Sequence, residues 1–279
     1  MGMNFKLLFQ QTGKLLLYYV IELRGFYWNL SFNRNKIFSI KILPGYAIKC
    51  ARKGDIAEII YKNEVLVKYG KSFEYRTLQL FSQILKPGNV VIDIGSNSGL
   101  YAIFYSKLVR ESGKVYAFEP DQESYATLQE NLKLNNCQNV STYNLALSNR
   151  ESKIEMVSIT HNDGRLKSGD SFKYIKEIEE NDLESANTNT AVKLDDLDEF
   201  NALHAIDFVK IDVEGAELLV LQGCVNTIIK HRPVIIFELS GDWTKRFNYK
   251  PYQLLVFLNE LGYEIEEYDF QQWIARPVD

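Results

Sequence analysis

The sequence predicts an α/β protein in which a mostly parallel sheet carries helices on both faces. Short apolar runs of strand length alternate along the chain with longer stretches whose apolar residues recur at helical spacing. This alternation is typical of right-handed βαβ units, which join parallel strands through a helix. Glycine and proline mark the breaks, as at Pro87-Gly88 before the first of these runs and Arg232-Pro233 before the last.

Each element follows from its own pattern. Strands are predicted where apolar residues run together, and helices where they are spaced by three or four. The predicted strands are 90–94, 114–118, 140–143, 208–211 and 234–238, and the predicted helices are 99–110, 122–134, 216–230 and 252–261. Residues 262–268 and 272–276 are expected to form a closing hairpin.

Composition indicates an ordinary globular protein. The 279 residues are 46% hydrophobic and 24% charged, which is enough apolar material for one large domain and an extension. The three cysteines, Cys50, Cys137 and Cys224, are far apart and form no CxxC pair. This spacing argues against a disulfide framework or a zinc ribbon and favours a cytoplasmic protein.

Charge is unevenly distributed between the two ends of the chain. Residues 1–53 contain nine basic residues and one acid, Glu22, which gives this segment a net charge of +8. Because the whole chain has a net charge of −4, the remaining residues carry −12. We therefore expect an N-terminal extension over 1–70, with an amphipathic helical arm over about 1–30, and a main domain over 71–279. The arm would contact an anionic membrane face or a phosphorylated substrate, or would be a solvated basic surface. Broad nucleic-acid binding is not expected of the acidic remainder.

The polar stretch 161–190 interrupts the alternation. It is rich in glycine, serine and asparagine and lies between two strand-like segments. A long loop inside a compact domain is either a functional lid or disordered, and the sequence leaves both possibilities open.

The motif DIGSNSG, residues 93–99, lies between the first predicted strand and a predicted helix, where open α/β sheets bind their ligands. It is not a Walker loop, because Leu100 follows the second glycine instead of lysine. Asn97 occupies the second glycine of a GxGxxG fingerprint and the serine of a GxSxG elbow, so it weakens both interpretations. A tight turn with Asp93 and Asn97 as caps is the structural alternative.

The charge of this motif favours a cationic ligand. Asp93 would repel a pyrophosphate and attract an ammonium or sulfonium group, and S-adenosylmethionine carries both. Glu119, at the end of the second predicted strand, is placed to accept hydrogen bonds from a ribose diol. Gly95 and Gly99 would leave room for the methionine part against the backbone.

Five ordered blocks resemble the FkbM family of S-adenosylmethionine-dependent methyltransferases. They are VVIDIGSNSGLYAI, GKVYAFEPDQESYATLQENLKLNN, KLDDL, IDFVKIDVEGAELLVLQG and HRPVIIFEL, and they cover residues 72–240 approximately. Ser96 departs from the alanine most often seen in that loop. The resemblance implies a seven-stranded, Rossmann-like methyltransferase sheet, mostly parallel, with an antiparallel strand near one edge.

The resemblance also implies roles for particular residues. The methionyl part would lie against Asp93, Gly95, Asn97 and Gly99, and Ser96 of the same loop would also bind the cofactor. The ribose would lie against Glu119, and the adenine near Asn144, Leu145 and Ala146. Asp212 and Glu214, in KIDVEGAE, would lie beside the methyl group and the acceptor. The implied activity is O-methylation of a hydroxyl on a saccharide, glycolipid or similar small molecule.

The chemistry of methyl transfer leaves several candidates for the proton acceptor. Asp212 or Glu214 could act as base or bind a divalent cation, and Lys210 would keep such a carboxylate ionised and make it a weaker base. Both acids could instead belong to a turn and a helix N-terminus. His161 and His204 are weaker candidates. Asp195 and Asp196 suggest a metal site or, by the resemblance, a structural corner, and no metal site is expected.

The alternative function is a nucleotide-binding module or an NAD-dependent oxidoreductase with a similar cleft. Asp93 and the missing GxGxxG pattern favour the methyltransferase.

Overall fold

The computed structural model describes residues 38–43, 46–50, 75–158, 173–178 and 188–278. The chain divides into two compact units, Met1–Gln79 and Leu80–Asp279. In the first unit, strands β1 (Phe38–Leu43) and β2 (Tyr46–Cys50) pair as an antiparallel hairpin, which the sequence analysis did not predict. Helix α1 (Tyr75–Ile84) spans the boundary between the units. The predicted arm over 1–30 and the predicted boundary near 70 lie outside the described residues.

The second unit alternates strands and helices as the sequence predicts. Its elements are β3 (Val90–Ile94), α2 (Leu100–Val109), β4 (Lys114–Phe118), α3 (Gln122–Leu134), β5 (Val140–Tyr143), β6 (Ala146–Leu147), β7 (Ser152–Ser158), β8 (Lys173–Glu177), β9 (Asn189–Val192), α4 (Asp198–Asn201), β10 (Phe208–Ile211), α5 (Glu217–Gln222), α6 (Val225–His231), β11 (Val234–Glu238), α7 (Pro251–Glu260), β12 (Tyr263–Asp269) and β13 (Gln272–Pro277). Two 3-10 turns, Leu194–Asp196 and Thr244–Phe247, precede α4 and α7.

The main sheet has seven strands in the order β12-β13-β11-β10-β3-β4-β5. Strand β13 is antiparallel to both of its neighbours, and the remaining pairs are parallel. The predicted fold class is therefore confirmed, with the antiparallel strand next to one edge. Because the parallel strands share a direction, their carboxyl ends meet at one edge of the sheet, where such folds bind ligands.

A second, four-stranded sheet has the order β6-β9-β7-β8. Strand β8 lies inside the stretch 161–190, which was expected to be a loop, and pairs antiparallel with β7. The expectation is wrong for these five residues and for the first two of β9, because both segments pair with β7 and a polar composition does not reveal that pairing. Ile175 is the buried residue of β8.

The predicted helix 216–230 is also wrong in one respect, since it forms two helices, α5 and α6, separated at Gly223 and Cys224. A Cβ atom on Gly223 would lie 1.9 Å from the main-chain oxygen of Ser148. This close approach to a distant segment requires glycine, and helical periodicity carries no information about it.

Helix α2 is buried along nearly its whole length, and this burial fixes the loop that precedes it. Nine of its ten residues are buried, all except Lys107. The ring of Tyr105 packs against Phe81 and Phe208, with ring centroids 5.1 Å and 5.7 Å apart. Aromatic contacts of this kind contribute beyond the area that they bury.

The motif KLDDL forms a structural corner. The carboxylate of Asp195 accepts hydrogen bonds from the main-chain N–H groups of Asn226 (2.8 Å) and Thr227 (3.0 Å) and from the Thr227 hydroxyl (2.7 Å). It thus caps the N-terminus of α6 from outside that helix, which is a favourable position for a carboxylate. Asp196 forms an exposed ion pair with Lys193 at 3.2 Å.

We predict that Asp195→Ala lowers the free energy of unfolding by about 1–2 kcal/mol, because the amides at the start of α6 lose their acceptor. Asp196→Ala is the matched control and should change it by less than about 0.5 kcal/mol, since exposed ion pairs contribute little. Chemical denaturation of the two variants measures the difference. Equal stabilities would contradict a capping role for Asp195.

Candidate active site

Acidic residues gather at the carboxyl edge of the main sheet. Asp93 is the fourth residue of β3, Glu119 follows β4, Asp212 follows β10, and Glu238 is the last residue of β11. Since these four strands are parallel, the structure brings the predicted Asp93, Glu119 and Asp212 to one edge. Glu238 was not among the site residues predicted from the sequence, although the block HRPVIIFEL places it at a strand end like the others.

The glycine loop after β3 lies directly against the segment after β10. Gly95 has φ 82°, and a Cβ atom there would lie 1.9 Å from the main-chain oxygen of Asp212. Gly99 has φ 89°, and its Cβ would lie 2.5 Å from a methyl carbon of Leu128. A side chain at either position would therefore have to displace a neighbour and adopt a strained backbone.

Hydrogen bonds hold the same loop to β4. The main-chain N–H groups of Gly95 and Ser96 both donate to the carbonyl of Phe118, at 3.0 Å and 2.9 Å. The hydroxyl of Ser96 donates to the main-chain carbonyl of Asp93 at 2.9 Å. Asn97 has φ 47°, a left-handed conformation that asparagine tolerates, and its side-chain oxygen accepts from the N–H of Ser98.

Glu119 joins this loop to the turn after β4. Its two carboxylate oxygens accept from the main-chain N–H groups of Asn97 and Asp121, each at 2.8 Å. The side chain is 6% exposed, and burial raises its pKa to about 7 against the lowering effect of these hydrogen bonds. A carboxylate has about four acceptor positions. Two therefore remain, which is the number that a ribose diol requires, and the predicted role of Glu119 stays a prediction.

Asp93 is a buried carboxylate to which the described residues donate no hydrogen bond. It is fully buried, and neither carboxylate oxygen has a partner among the described residues. Burial raises its pKa to about 6, and the positive charge of Lys210, its neighbour on β10, opposes that rise. The Ser96 hydroxyl lies close enough to oppose it as well, although it donates to the main chain. Such a group fits a cationic ligand.

The predicted adenine-contacting residues lie after β5. The side-chain amide of Asn144 donates to the carbonyls of Glu119 (2.8 Å) and Pro120 (2.9 Å), so it joins the ends of β4 and β5. Ala146 is buried in β6, where it pairs with Ala191. Asn144 therefore borders the turn that contains Glu119, and the contact of either residue with an adenine remains a prediction.

Lys210 and Asp212 form an ion pair at the end of β10. The Lys210 ammonium lies 2.8 Å from a carboxylate oxygen of Asp212 and 4.6 Å from the ring centre of Tyr101. The lysine side chain is 4% exposed and the aspartate side chain 30% exposed. The predicted pairing is therefore present, with Asp212 as the member that solvent or an acceptor can reach.

The turn after Asp212 is shaped by a carboxylate that the sequence analysis overlooked. Glu217 is 1% exposed and accepts hydrogen bonds from the N–H of Gly215 (3.0 Å) and the hydroxyl of Tyr249 (3.2 Å). Burial raises its pKa to about 7. Glu214 adopts a left-handed conformation in this turn, and its carbonyl accepts from Arg246 at 3.4 Å.

Strand β8 also reaches this edge of the sheet. The Lys173 ammonium lies 2.7 Å from the carboxylate of Asp121, the N-cap of α3. The guanidinium of Arg246 lies 4.7 Å from the ring centre of Tyr174. The polar insert therefore contributes side chains on both sides of the carboxyl edge, and no sequence motif indicated this.

The remaining candidates lie elsewhere. His204 is exposed and precedes β10, at the opposite end of that strand from Asp212. His161 lies outside the described residues. No group of three or more histidine, cysteine, aspartate or glutamate side chains in the described segments is arranged to hold a metal ion.

The fold and this edge define a class of protein: the Rossmann-like methyltransferase domain that uses S-adenosylmethionine. Its elements here are the seven-stranded sheet, the glycine loop after Asp93 and the carboxylate of Glu119 at the end of the next strand. The residues present fit this cofactor, because Asp93 supplies a buried carboxylate for a cationic group and Gly95 an approach to the backbone. The chain belongs to the family described as the methyltransferase FkbM domain, whose model matches residues 93–265.

Two curated relatives agree with this assignment. The chain is 27% identical over 166 residues to Methyltransferase 1 of Beauveria bassiana (strain ARSEF 2860). This match covers 55% of this chain and 66% of the relative. It is 29% identical over 164 residues to 2-O-methyltransferase NoeI of Sinorhizobium fredii (strain NBRC 101917 / NGR234). That match covers 55% of this chain and 65% of the relative. The chain thus spans just under two thirds of the length of these relatives.

A solved structure named methyltransferase FkbM, from Methylobacillus flagellatus KT, is also similar. It shares 14% sequence identity with a TM-score of 0.43, covering 78% of this chain and 54% of that one.

We predict that Glu119→Ala weakens the binding of S-adenosylhomocysteine by about 1.5–3 kcal/mol, the range of a hydrogen bond to a charged group. Glu123→Ala, an exposed acid in the first turn of α3, is the control and should leave affinity unchanged. Isothermal titration measures both, and a thermal melt establishes that each variant is folded. Unchanged affinity in folded Glu119→Ala would remove Glu119 from the cofactor site.

We further predict that S-adenosylhomocysteine binding weakens as pH falls from about 8 to about 5. The pKa values of Glu119 and Asp93 are raised to about 7 and about 6, so each binds a proton in this range that must leave before the ligand binds. Each required proton release lowers the affinity by about tenfold per pH unit below its pKa. Titrations across this range should show a shallower fall in affinity for Asp93→Asn than for wild type. An equal fall in the two proteins would mean that Asp93 is not a group that must lose a proton when the ligand binds.

Proposed function

We propose that the protein transfers a methyl group from S-adenosylmethionine to a hydroxyl of a saccharide, glycolipid or similar small molecule. The observation that carries the proposal is the contact between the turn at Asp212 and the glycine loop at Gly95. It puts a partly exposed carboxylate next to the loop that fits the cofactor. The relative named 2-O-methyltransferase NoeI supports oxygen as the acceptor atom.

The chain has little covalent chemistry to perform in this reaction. When bound, S-adenosylmethionine supplies a methyl carbon that its sulfonium group has already activated. The protein must align the acceptor hydroxyl and receive its proton. Asp212 suits this task because its carboxylate is accessible, whereas Glu119 and Glu217 are buried and hydrogen-bonded to the main chain.

Lys210 would position the Asp212 carboxylate. Its ammonium lies 2.8 Å from one carboxylate oxygen and would hold that oxygen in place. A carboxylate is a weak base, and a weak base is sufficient if the hydroxyl loses its proton late, after much of the bond to carbon has formed.

The alternative function, a nucleotide-binding module or an NAD-dependent oxidoreductase, makes a different prediction about ligands. Isothermal titration with S-adenosylhomocysteine and with NADH separates the two. Binding of the first alone supports the methyltransferase, and binding of NADH alone would overturn the proposal. Incubation with labelled S-adenosylmethionine and extracts of glycans and glycolipids then tests the acceptor class, which is wrong if label enters only protein or nucleic acid.

We also propose a cytoplasmic location, with peripheral membrane contact through the N-terminal segment. Cys137 and Cys224 have free thiols, which suits a reducing compartment. Within the described part of the chain, no helix is long and apolar enough to cross a membrane. The membrane contact depends on the basic residues before residue 54, most of which lie outside the described segments.

We predict that Asp212→Asn lowers turnover by about 10²–10⁴-fold, the usual contribution of general acid–base catalysis, and leaves S-adenosylhomocysteine affinity nearly intact. Glu214→Gln is the companion variant, because Glu214 lies in the same turn. Turnover is measured as methyl transfer to the extract, and affinity by titration. If both folded variants turn over at the wild-type rate, the base lies elsewhere. If a chelator abolishes the activity of wild-type protein and magnesium restores it, these carboxylates are metal ligands instead.

A further inference from the structure

Glu238 is a carboxyl neighbour of Asp212 on the adjacent strand. Strands β10 and β11 are parallel, with Ile211 opposite Phe237, so the next residues, Asp212 and Glu238, are adjacent at the carboxyl edge. Both the charge of Asp212 and a side-chain hydrogen bond with it raise the pKa of Glu238, which agrees with this adjacency. A hydrogen bond between two carboxyl groups requires that one of them carries a proton.

The surroundings decide which member holds the proton. Asp212 is partly exposed, and the Lys210 ammonium lies 2.8 Å from one of its carboxylate oxygens. Glu238 is half-buried, and it faces the negative charges of Asp212, Glu214 and Glu217. Its cross-strand partner on β13, Gln272, is neutral. Burial and then the charge of Asp212 raise the pKa of Glu238 far above its ordinary range, so the proton belongs to Glu238.

From this arrangement we propose that Glu238 is a positioning residue for methyl transfer, which in its protonated form donates a hydrogen bond to Asp212. Lys210 and Glu238 would then hold the Asp212 carboxylate from two strands, leaving its accessible side for the acceptor hydroxyl. This inference rests on the proposed function and adds to it a residue that acts through Asp212.

The proton balance of the reaction is consistent with this role. As the hydroxyl oxygen bonds to the methyl carbon, the carbon–sulfur bond breaks with its electron pair on sulfur, and the hydroxyl proton passes to Asp212. The pair Asp212 and Glu238 thus holds one proton before transfer and two after it, and returns the second to water through the exposed side of Asp212. Ionisation of Glu238 at alkaline pH would put two negative charges side by side and displace Asp212.

Infrared spectroscopy tests the protonation without cofactor or acceptor. At mildly alkaline pH, above the pKa values near 7 of Glu119 and Glu217, wild-type protein should show a carbonyl band of a protonated carboxyl group that Glu238→Gln lacks. Glu264→Gln, an exposed glutamate on β12, is the matched control and should retain the band. Identical spectra for wild type and Glu238→Gln would show that Glu238 is ionised and overturn the proposal.

Activity then tests the positioning role, with labelled S-adenosylmethionine and the glycan and glycolipid extract. Glu238→Gln, whose amide still donates a hydrogen bond, should stay within about tenfold of wild type, whereas Glu238→Leu should lose about 10²-fold through misplacement of Asp212. The alkaline fall of wild-type turnover should be absent in Glu238→Gln. Thermal melts and S-adenosylhomocysteine titrations establish that both variants are folded and bind the cofactor.

Two activity results would overturn the proposal. Equal, severe losses in Glu238→Gln and Glu238→Leu would mean that Glu238 acts as an ionised carboxylate, and full activity in both would mean that Asp212 needs no such support. If wild-type protein methylates nothing in the extract, the proposed acceptor class fails, while the infrared comparison still decides whether Glu238 is the protonated partner of Asp212.

Discussion

The buried ammonium of Lys210 is the interaction on which the carboxyl edge depends. It lies on the central strand β10, beside Asp93 of β3 and 2.8 Å from Asp212, and its outer side faces the ring of Tyr101. A carboxylate that is removed from water loses several kcal/mol of solvation, and a nearby positive charge can offset that loss. Lys210 therefore makes it possible for one sheet edge to hold a carboxylate suited to a cationic cofactor and another suited to an acceptor.

A second constraint is the close packing of two main-chain segments. The absence of a side chain at Gly95 brings the loop after β3 against the carbonyl of Asp212, while Glu119 holds the other side of that loop through Asn97. Because these contacts involve backbone, they tolerate little variation in distance. The proposed cofactor and acceptor sites are consequently parts of one rigid edge, and the buried helix α2 supports it from one side.

Much of the fold could be predicted from the sequence, and the site only in part. The five predicted strands of the parallel sheet agree with the structure residue for residue, since most of them are local apolar runs between clear breaks. Strand β8 and the break at Gly223 were missed because one is short and mostly polar and the other depends on contact with Ser148. For Asp195, the sequence left open a metal site or a corner, and the structure shows the cap of α6.

The sequence by itself determined the alternation of elements, the glycine loop, the acids at strand ends and membership of the FkbM methyltransferase family. These features are local, because hydrophobic period and turn residues act over a few positions. Only the tertiary structure decided which charges meet. Glu238 lies beside Asp212, and Lys210 beside Asp93, through strand register, which depends on the packing of distant segments. The protonation of each carboxyl group follows from those neighbours and from burial, and neither is visible along the chain.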